Sequence, residues 1–437
     1  MMKVTVLGLW HLGSVISACL ASQGHKVLGI DEDSEVISKL FLGKAPLYEP
    51  GLDNLLKEGI ANGNLRFSNI SQKILKDSEL IWVAYDTPID SNDIADVDYV
   101  FSQIKSILPL LSKNTLILVS SQLPVGSIRS LEKYAEVNVP ELNLKFACSP
   151  ENLRLGQAIN LFNNPDRIIV GVRSREDKAS LNRLFSPITK NVEWMSIESA
   201  EMTKHAINAF LATSITFTNE IASICEAVGA NAKEVERGLK TEIRIGPKAY
   251  VSPGGPFAGG TLARDIEFLS NVGADASLST PVLSSVRPSN DEHKNWVRRK
   301  LLQHFGDIKG KKIGILGLTY KPGTDTLRGS LSIELCEWIL LMGGEINVYD
   351  PVVKKLPKDW KRTAKKCLSV SEVLEMSDVL VVATEWPEFR EIKIDSIALE
   401  KKEFAVFDAN CFLKELLSEA VNHYYSVGVP VSSRGTK

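Results

Sequence analysis

The sequence predicts an α/β protein in which two parallel, doubly wound sheets flank a helical segment. Near the N-terminus, short apolar strands alternate with stretches long enough to be crossover helices. The middle of the chain changes to long helical patterning. The layout of the first 31 residues, strand, glycine turn, helix, strand and Asp, then returns at 311–350. We therefore expect domains at 1–197, 198–305 and 306–437.

The opening unit runs from the apolar stretch KVTVLGL through a glycine turn into LGSVISACLASQG and on to HKVLGID. Val15, Ile16, Cys19 and Leu20 recur at helical spacing, and Gly24 is suited to a helix C-cap. Further strands are predicted in ELIWVAYDTP, TLILVSS and LKFACSP. Together they predict the first parallel sheet.

The helical middle begins with one long stretch at 199–229, and helical patterning resumes after the Gly/Pro-rich residues 252–260. The last domain opens with KKIGILGLTY, the helix SLSIELCEWILLMGG and the strand EINVYDP, in which Asp350 stands where Asp31 stands in the first unit. The strands DVLVVATEW and FAVFDAN complete a second sheet.

The composition of the chain limits the classes of function that it can have. The 437 residues are 44% hydrophobic and 24% charged with a net charge of -2, as in ordinary globular proteins, so no nucleic acid partner is indicated. Apolar runs stay below the roughly 18 residues of a membrane span, and MMKVTVLG is too short for a signal peptide, so we expect a cytoplasmic protein. Six cysteines without C-x-x-C pairs predict free, mostly buried thiols and no metal site.

The segment GLWHLG has the features of a dinucleotide turn. Gly8 and Gly13 allow a pyrophosphate to approach a helix N-terminus, and Asp31 follows about 20 residues on, where an acid binds ribose hydroxyls. Trp10 occupies the place of the middle glycine. Because an acid repels a 2′-phosphate, NAD is preferred over NADP. The alternative is a structural turn with Asp31 as a surface cap.

Motifs along nearly the whole chain resemble those of the UDP-glucose/GDP-mannose dehydrogenase family. They are LYEPGLDNLL, DTP, SPENLRLG, AEMTKHAINAFL, RIG, FAGGTLARD, GLTYKPGTDTLRGS and YDP. The resemblance implies two Rossmann-like domains joined by a helical dimerisation segment. It also implies oxidation of the C6 hydroxymethyl of a nucleotide-linked hexose to a carboxylate, with two NAD molecules used in turn, for polysaccharide or cell-surface sugar biosynthesis.

The resemblance also assigns binding residues, with the nucleotide-sugar lying between the domains. The cofactor contacts it implies are Gly8, Leu12, Gly13, Asp31, Thr87 and Gln122, with Arg328 reaching in from the C-terminal domain. The substrate contacts it implies are Phe257, Gly259 and Gly260 for the sugar and Tyr320 and Lys321 for the nucleotide. Arg244 would come from the neighbouring subunit, which implies a homodimer.

Lys204 and Asn208 are four residues apart on an apolar helix, so both polar groups share one face and can bind one oxygen. An ammonium and an amide stabilise a developing alkoxide during hydride abstraction. By the same resemblance, Asp265 would accept the hydroxyl proton and Glu151 would polarise water or the sugar oxygen. The alternatives are a Glu201–Lys204 surface pair, a helix N-terminal acid at Asp265 and a cap at Glu151.

Thr261 stands where the family carries the cysteine that traps the aldehyde as a thiohemiacetal. A thiol with a pKa of about 8.5 can ionise at neutral pH, whereas an alcohol needs a strong base. Leu155 replaces the family's second glutamate, Gln122 replaces a threonine and Ser214 replaces a lysine. The departures concern thioester formation and hydrolysis, while the set for the first hydride transfer is kept.

The sequence therefore predicts an NAD-dependent nucleotide-sugar dehydrogenase that stops after one two-electron step or performs a related redox step such as epimerisation. One alternative is a full four-electron UDP-hexose 6-dehydrogenase acting through the aldehyde hydrate, and another is a non-catalytic nucleotide-sugar or NAD sensor. Cys148 could supply another thiol, but its place at the end of an apolar strand favours a buried structural role. UDP is preferred over GDP, and the sugar stays open.

Overall fold

The computed structural model describes residues 1–69, 75–88, 95–150, 153–258, 260–360, 363–391 and 404–430. The chain divides into two compact units, Met1–Ile207 and Asn208–Lys437, and the division falls inside one long helix.

The first unit is built on an eight-stranded sheet with the strand order β3-β2-β1-β4-β5-β6-β7-β8. Its strands are β1 (Lys3–Leu7), β2 (Lys26–Ile30), β3 (Leu65–Ser68), β4 (Leu80–Val83), β5 (Leu116–Val119), β6 (Lys145–Cys148), β7 (Ile168–Gly171) and β8 (Val192–Met195). Its described helices are α1 (His11–Ser22), α2 (Ser34–Phe41), α3 (Leu52–Ala61), α4 (Val97–Ile107), α5 (Ser127–Asn138), α6 (Ala158–Asn163) and α7 (Arg175–Phe185).

The central strands of this sheet are buried on both faces, which explains why they read as continuous apolar runs. In β4, Trp82 packs into the core beneath α1, α3, α6 and α7, whereas Ile81 and Val83 pack into the core beneath α4 and α5. The strand order reverses direction between β1 and β4, so the carboxyl edge there is the topological switch point where ligands bind in such sheets.

The last two strands of this sheet, β7 and β8, depart from the predicted parallel arrangement. β7 pairs antiparallel with β6 through Cys148 and Gly171, and β8 then pairs parallel with β7. A parallel connection needs a full crossover, usually a helix. The described part of the link from β6 to β7 contains one helix of six residues, α6.

The long helix α8 (Ile197–Val228) has 32 residues and leads into the second unit. That unit contains a six-stranded parallel sheet of order β11-β10-β9-β12-β13-β14. Its strands are β9 (Lys312–Leu316), β10 (Glu345–Tyr349), β11 (Ala364–Lys366), β12 (Val379–Val382), β13 (Ala405–Asp408) and β14 (His423–Tyr425). Its described helices are α9 (Ala232–Thr241), α10 (Thr261–Asp275), α11 (Pro281–His293), α12 (Trp296–Phe305), α13 (Leu331–Leu341), α14 (Val370–Met376) and α15 (Lys414–Leu417).

The predicted fold class is confirmed: two doubly wound α/β sheets with a helical region between them in sequence. All six cysteines lack disulfide bonds, and five of them are buried, as predicted. Within the described residues, no helix combines the length and apolarity needed to cross a bilayer. The same residues contain no group of three or more His, Cys, Asp or Glu side chains suited to a metal ion.

A largely buried carboxylate connects the C-terminal part of α8 to the rest of the second unit. Glu226 accepts hydrogen bonds from the Trp296 indole N–H at 2.9 Å and the Gly428 backbone N–H at 2.8 Å. It also pairs with the Lys300 ammonium at 2.7 Å, and both side chains are less than 15% exposed.

Replacing Glu226 with alanine leaves an ammonium and two N–H donors without their acceptor in a largely buried place. We expect the free energy of unfolding to fall by about 3 kcal/mol, because removing one partner of a buried pair strands the other. Urea unfolding of both proteins measures the difference. Glu234→Ala on α9 is the control, because its pair with Arg237 is solvent-exposed. Equal shifts in the two variants would contradict the expectation.

Candidate active site

The turn from β1 into α1 has the close approach that a dinucleotide site needs. A Cβ built on Gly13 would lie 1.8 Å from the carbonyl oxygen of Gly8, so the first turn of the helix packs directly on the glycine turn. Gly8 has a φ of +83°, and a Cβ there would lie 2.6 Å from the ring of Tyr85. Neither position accepts a side chain, which leaves the backbone N–H groups at the start of α1 open to an anion.

Asp31 lies at the carboxyl end of β2, beside this turn. Its carboxylate accepts hydrogen bonds from the backbone N–H groups of Leu9 at 2.7 Å and Asp33 at 2.9 Å. The side chain is only half-buried. Each oxygen has further acceptor capacity, so the acid is held in place and can still accept from ribose hydroxyls.

Asp350 occupies the equivalent place in the second sheet but has a different role. Its carboxylate is 4% exposed and accepts five hydrogen bonds, from the backbone N–H groups of Leu318, Thr319, Val352 and Val353 and from the indole of Trp386. An acid that is saturated by its own chain has no capacity for a ribose. The geometry therefore fits a dinucleotide in the first sheet and not in the second.

Trp10 does not prevent this fit through its backbone. Its φ is -67°, outside the left-handed region that favours glycine, so φ alone does not demand a glycine at this position. The indole is 47% exposed. Leu12 is buried beneath the turn. The hydroxyl of Thr87 donates a hydrogen bond to the carbonyl of Gln122 at 2.7 Å, and this bond joins the loop that follows β4 to the loop that follows β5. The geometry of residues 8–13 and of Asp31 therefore fits a dinucleotide.

Helix α8 is anchored to the loop that carries Gln122. Glu201 is 5% exposed and accepts from the backbone N–H groups of Gly126 at 2.8 Å and Ile128 at 3.0 Å, at the start of α5. Burial raises the pKa of this carboxyl. One turn later, the buried ring of His205 bonds to the carbonyl of Leu123 at 2.9 Å. Glu201 is therefore not part of an exposed surface pair with Lys204.

The structure brings two of the predicted catalytic residues into contact. The side-chain amide of Asn208 on α8 donates a short hydrogen bond to the carboxylate of Asp265 on α10. Asp265 is fully buried and Asn208 is 7% exposed. Lys204 lies one turn before Asn208 on α8 and is half-buried. A carboxylate and an amide held together away from bulk water are suited to taking a proton and orienting a hydroxyl.

Thr261 is the first residue of α10, and its side chain is exposed. Helical spacing places it on the face of Asp265, one turn further along. The preceding Gly260 has a φ of +81°, and a Cβ there would lie 3.5 Å from the hydroxyl of Tyr320. Gly260, Thr261 and Tyr320 therefore lie close together at the N-terminus of this helix.

The backbone of residues 254–257, shortly before Thr261, is hydrogen-bonded by side chains that the sequence analysis missed. Asn290 accepts from the N–H of Phe257 at 2.9 Å and donates to its carbonyl at 2.8 Å. Three more side chains bind the adjacent glycines: Asn219 accepts from Gly254 N, His293 bonds to Gly254 O and Asn410 accepts from Gly255 N. Burial lowers the pKa of His293, which favours the neutral ring. The backbone around Phe257 is thus fixed before any ligand binds.

The predicted substrate residues Lys321 and Arg244 and the predicted cofactor residue Arg328 lie on loops. Lys321 and Arg328 are exposed in the loop between β9 and α13. Arg244 is largely exposed, and its guanidinium pairs with the carboxylate of Glu242 at 2.7 Å. This hydrogen bond lowers the pKa of Glu242. The predicted residues Glu151 and Gly259 lie outside the described part of the chain.

The structure also reports on the residues that depart from the family pattern. Ser214 is buried, and its hydroxyl donates to the carbonyl of Phe210 in its own helix. Leu155 is 37% exposed. Cys148 is buried and burial raises its pKa well above the ordinary thiol value, which confirms the prediction of a structural cysteine. It is therefore not a substitute nucleophile.

Three features together are typical of a nicotinamide-dependent dehydrogenase. The first sheet has a dinucleotide turn with an accessible acid, and the second sheet, of related strand order, has no such accessible acid. The helix α8 carries a lysine and an amide side chain. Models of the UDP-glucose/GDP-mannose dehydrogenase family match three successive parts of the chain. These are the NAD binding domain at residues 2–189, the central domain at 198–292 and the UDP binding domain at 314–415. The chain belongs to this family and is an NAD-dependent nucleotide-sugar dehydrogenase.

Individual relatives agree with this assignment. The chain is 32% identical to the UDP-glucose 6-dehydrogenase of Rhizobium meliloti (strain 1021), over 98% of this chain and 100% of that protein. It superposes on a UDP-glucose dehydrogenase from Pyrobaculum islandicum with a TM-score of 0.84 and 25% identity, covering 98% of each chain. A UDP-D-ManNAc dehydrogenase from Pyrococcus horikoshii gives 0.82 at 25% identity, over 98% of this chain and 99% of the other.

Proposed function

We propose that this enzyme oxidises the C6 hydroxymethyl of a UDP-linked hexose, UDP-glucose or a related UDP-sugar, and stops at the aldehyde after one two-electron step. The observation that supports this proposal most directly is the buried hydrogen bond between Asn208 and Asp265, one helical turn from Thr261. The groups for the first oxidation are present, and a threonine hydroxyl stands where the second oxidation would need a thiol. The sugars of the named relatives, glucose and N-acetylmannosamine, support a UDP-hexose substrate.

In the first step, bound NAD supplies the hydride acceptor. Asp265 takes the proton of the C6 hydroxyl, directly or through one water, while the C–H bond breaks and its electron pair leaves as hydride. Asn208 holds the carboxylate with one amide N–H and keeps a second N–H for the reacting oxygen. The Lys204 ammonium stabilises the negative charge that develops on that oxygen. The products are an aldehyde, NADH and a protonated Asp265.

The second step is where this chain differs. A thiolate can add to the aldehyde, but the Thr261 hydroxyl is not ionised at neutral pH and needs a base directed at it, and Asp265 holds the proton taken in the first step. The buried Ser214 hydroxyl is used within its own helix, and Leu155 offers no carboxylate. Without covalent trapping, the aldehyde leaves as product.

Counting NADH per sugar consumed tests the proposal. UDP-glucose, its N-acetyl relatives and GDP-mannose are offered in turn while absorbance at the nicotinamide band is followed, and an aldehyde-trapping reagent reports the product. We expect one NADH per sugar and a trapped aldehyde. A value of two would show a full four-electron 6-dehydrogenase and would contradict the single-step proposal. Tight binding without NADH from any sugar would show a sensor.

We propose further that the enzyme works as a homodimer in which Arg244 completes the partner's sugar site. On α8, Phe210, Phe217 and Ile224 recur every seven residues with about half or more of their surface exposed. Ile243, beside Arg244, is 94% exposed. Such apolar surface favours burial against a second copy of the chain.

Subunit complementation tests the role of Arg244. Arg244→Ala and Lys204→Ala should each be nearly inactive, since one lacks the donated arginine and the other lacks the ammonium. Mixed and refolded together, they should regain activity, because a heterodimer contains one site with both residues intact. Mixing each variant with itself is the control. Differential tagging shows whether the mixture contains heterodimers. If it does and activity is not recovered, Arg244 acts in the active site of its own subunit and the proposal is wrong.

A further inference from the structure

The motif LYEPGLDNLL contains a buried acid with no role in the chemistry above. Glu49 is 4% exposed, and its carboxylate accepts three hydrogen bonds. The ring Nε2 of His11 lies 2.9 Å from Oε2, the backbone N–H of Gly156 lies 2.7 Å from the same oxygen, and the N–H of Ala158 lies 2.8 Å from Oε1. A carboxylate is the side chain that accepts at both oxygens and donates at neither.

The three donors come from two loops that are far apart in the sequence. His11 is the first residue of α1, inside the dinucleotide turn, whereas Gly156 and Ala158 belong to the segment that follows β6. Strands β4 and β5 lie between β1 and β6, so these loops leave the sheet about 14 Å apart at a strand spacing of about 4.8 Å. Glu49 bridges them at the carboxyl edge.

Two other features make this bridge stiff. Gly156 has a φ of +87°, so its N–H is presented by a backbone conformation that favours glycine. The helices behind the two loops are joined as well, by a hydrogen bond from the Gln23 side chain on α1's C-terminal side to Asn163 of α6 at 3.1 Å. Glu49 therefore joins the N-terminal ends of α1 and α6, and the Gln23–Asn163 bond joins their C-terminal ends.

We propose that Glu49 is a positioning residue that makes the dinucleotide turn and residues 153–158 one rigid body. The turn binds the pyrophosphate of NAD, and residues 153–158 follow Glu151, the acid assigned to the sugar side. The bridge sets the distance between cofactor and sugar before either binds. The inference deepens the proposed function, since it rests on residues near Glu151 contacting the sugar.

His11→Ala tests the bridge by cutting its cofactor end and leaving both backbone N–H bonds of Glu49 in place. Because small misplacements of bound groups are costly, we expect the KM for the nucleotide-sugar to rise by about fivefold or more. His11→Gln keeps an N–H donor of suitable length and should restore the KM to within about twofold. Glu49→Gln, combined with His11→Ala, should add little to the KM effect of either change alone.

Three readouts separate the possible outcomes. Calorimetry gives the Kd for NAD and for UDP-glucose without turnover, kinetics gives KM and kcat, and thermal unfolding gives Tm. A lower Tm with unchanged sugar KM and Kd in His11→Ala would show a merely structural acid and overturn the proposal, as would additive effects of the two changes. If no sugar is oxidised, the Kd for UDP-glucose still decides the bridge, while the proposed function fails independently.

Discussion

Asp265→Asn is expected to lower kcat by about 10²- to 10⁴-fold, the usual contribution of a positioned general base. The variant keeps the shape of the side chain, and the Asn208 amide still has an oxygen to bind. It removes the one property that the first oxidation requires, an acceptor for the hydroxyl proton in a fully buried place. The Kd for NAD should not change, because the dinucleotide turn lies on β1 and α1. Initial rates and calorimetry on the same preparation measure both quantities.

The same helix supplies the control. Asp275 ends α10 and is exposed, so Asp275→Asn changes the same charge on the same element without touching the buried pair. It should retain the kcat of the parent enzyme. If Asp265→Asn keeps more than a tenth of the parent kcat while Asp275→Asn behaves as expected, another group takes the proton and the assigned role of Asp265 is wrong.

Gly13→Ala should abolish NAD binding and destabilise the first unit. The added Cβ would lie 1.8 Å from the carbonyl oxygen of Gly8, which is backbone and cannot rotate away. The helix must shift outward, at a cost of about 3 kcal/mol or more, and its N–H groups then leave the pyrophosphate position. Calorimetric titration with NAD and thermal unfolding report the two effects.

A second glycine shows what the same change does without a clash. Gly238 lies in α9, and no heavy atom lies within 4 Å of a Cβ built there. Gly238→Ala should leave NAD binding unchanged and stabilise its helix by about 0.5–1 kcal/mol. Tight NAD binding by Gly13→Ala would mean that the turn opens without cost and that the cradle is not what holds the dinucleotide.

The central strands were predictable because burial on both faces leaves a plain apolar run. β1, β4, β5, β9, β12 and β13 all lie within predicted segments. The sequence analysis did not name β3, β7, β8, β11 and β14, and all of these except the inner strand β7 are outer strands of the sheets. Their sequences, such as LRFS and AKK, mix charged and apolar residues because one side meets solvent. Hydrophobic patterning therefore loses its signal at sheet edges.

In the candidate site, too, some residues could be predicted from the sequence and others could not. Residues within short motifs, such as Gly8, Gly13 and Asp31, could be proposed from the sequence because their local spacing reflects the turn that they build. Asn290 and Asn410 were not found, because each binds the glycine segment from 33 or 155 residues away, and a single polar residue in a helix or loop carries no sign of its distant partner. The departures at Thr261 and Leu155 stay predictions about chemistry until products are counted.

The contrast between Asp31 and Asp350 has a practical consequence for redesign. We propose that a change of cofactor preference toward a phosphorylated dinucleotide begins with neutralising Asp31, whose half-buried carboxylate keeps capacity for a further hydrogen bond. Asp350 joins three segments of the chain through its hydrogen bonds, so we expect most replacements of this acid to destabilise the second unit. Mutagenesis that aims to change the preference between NAD and NADP should therefore be confined to the first strand–turn–helix–strand unit, which ends at Asp31.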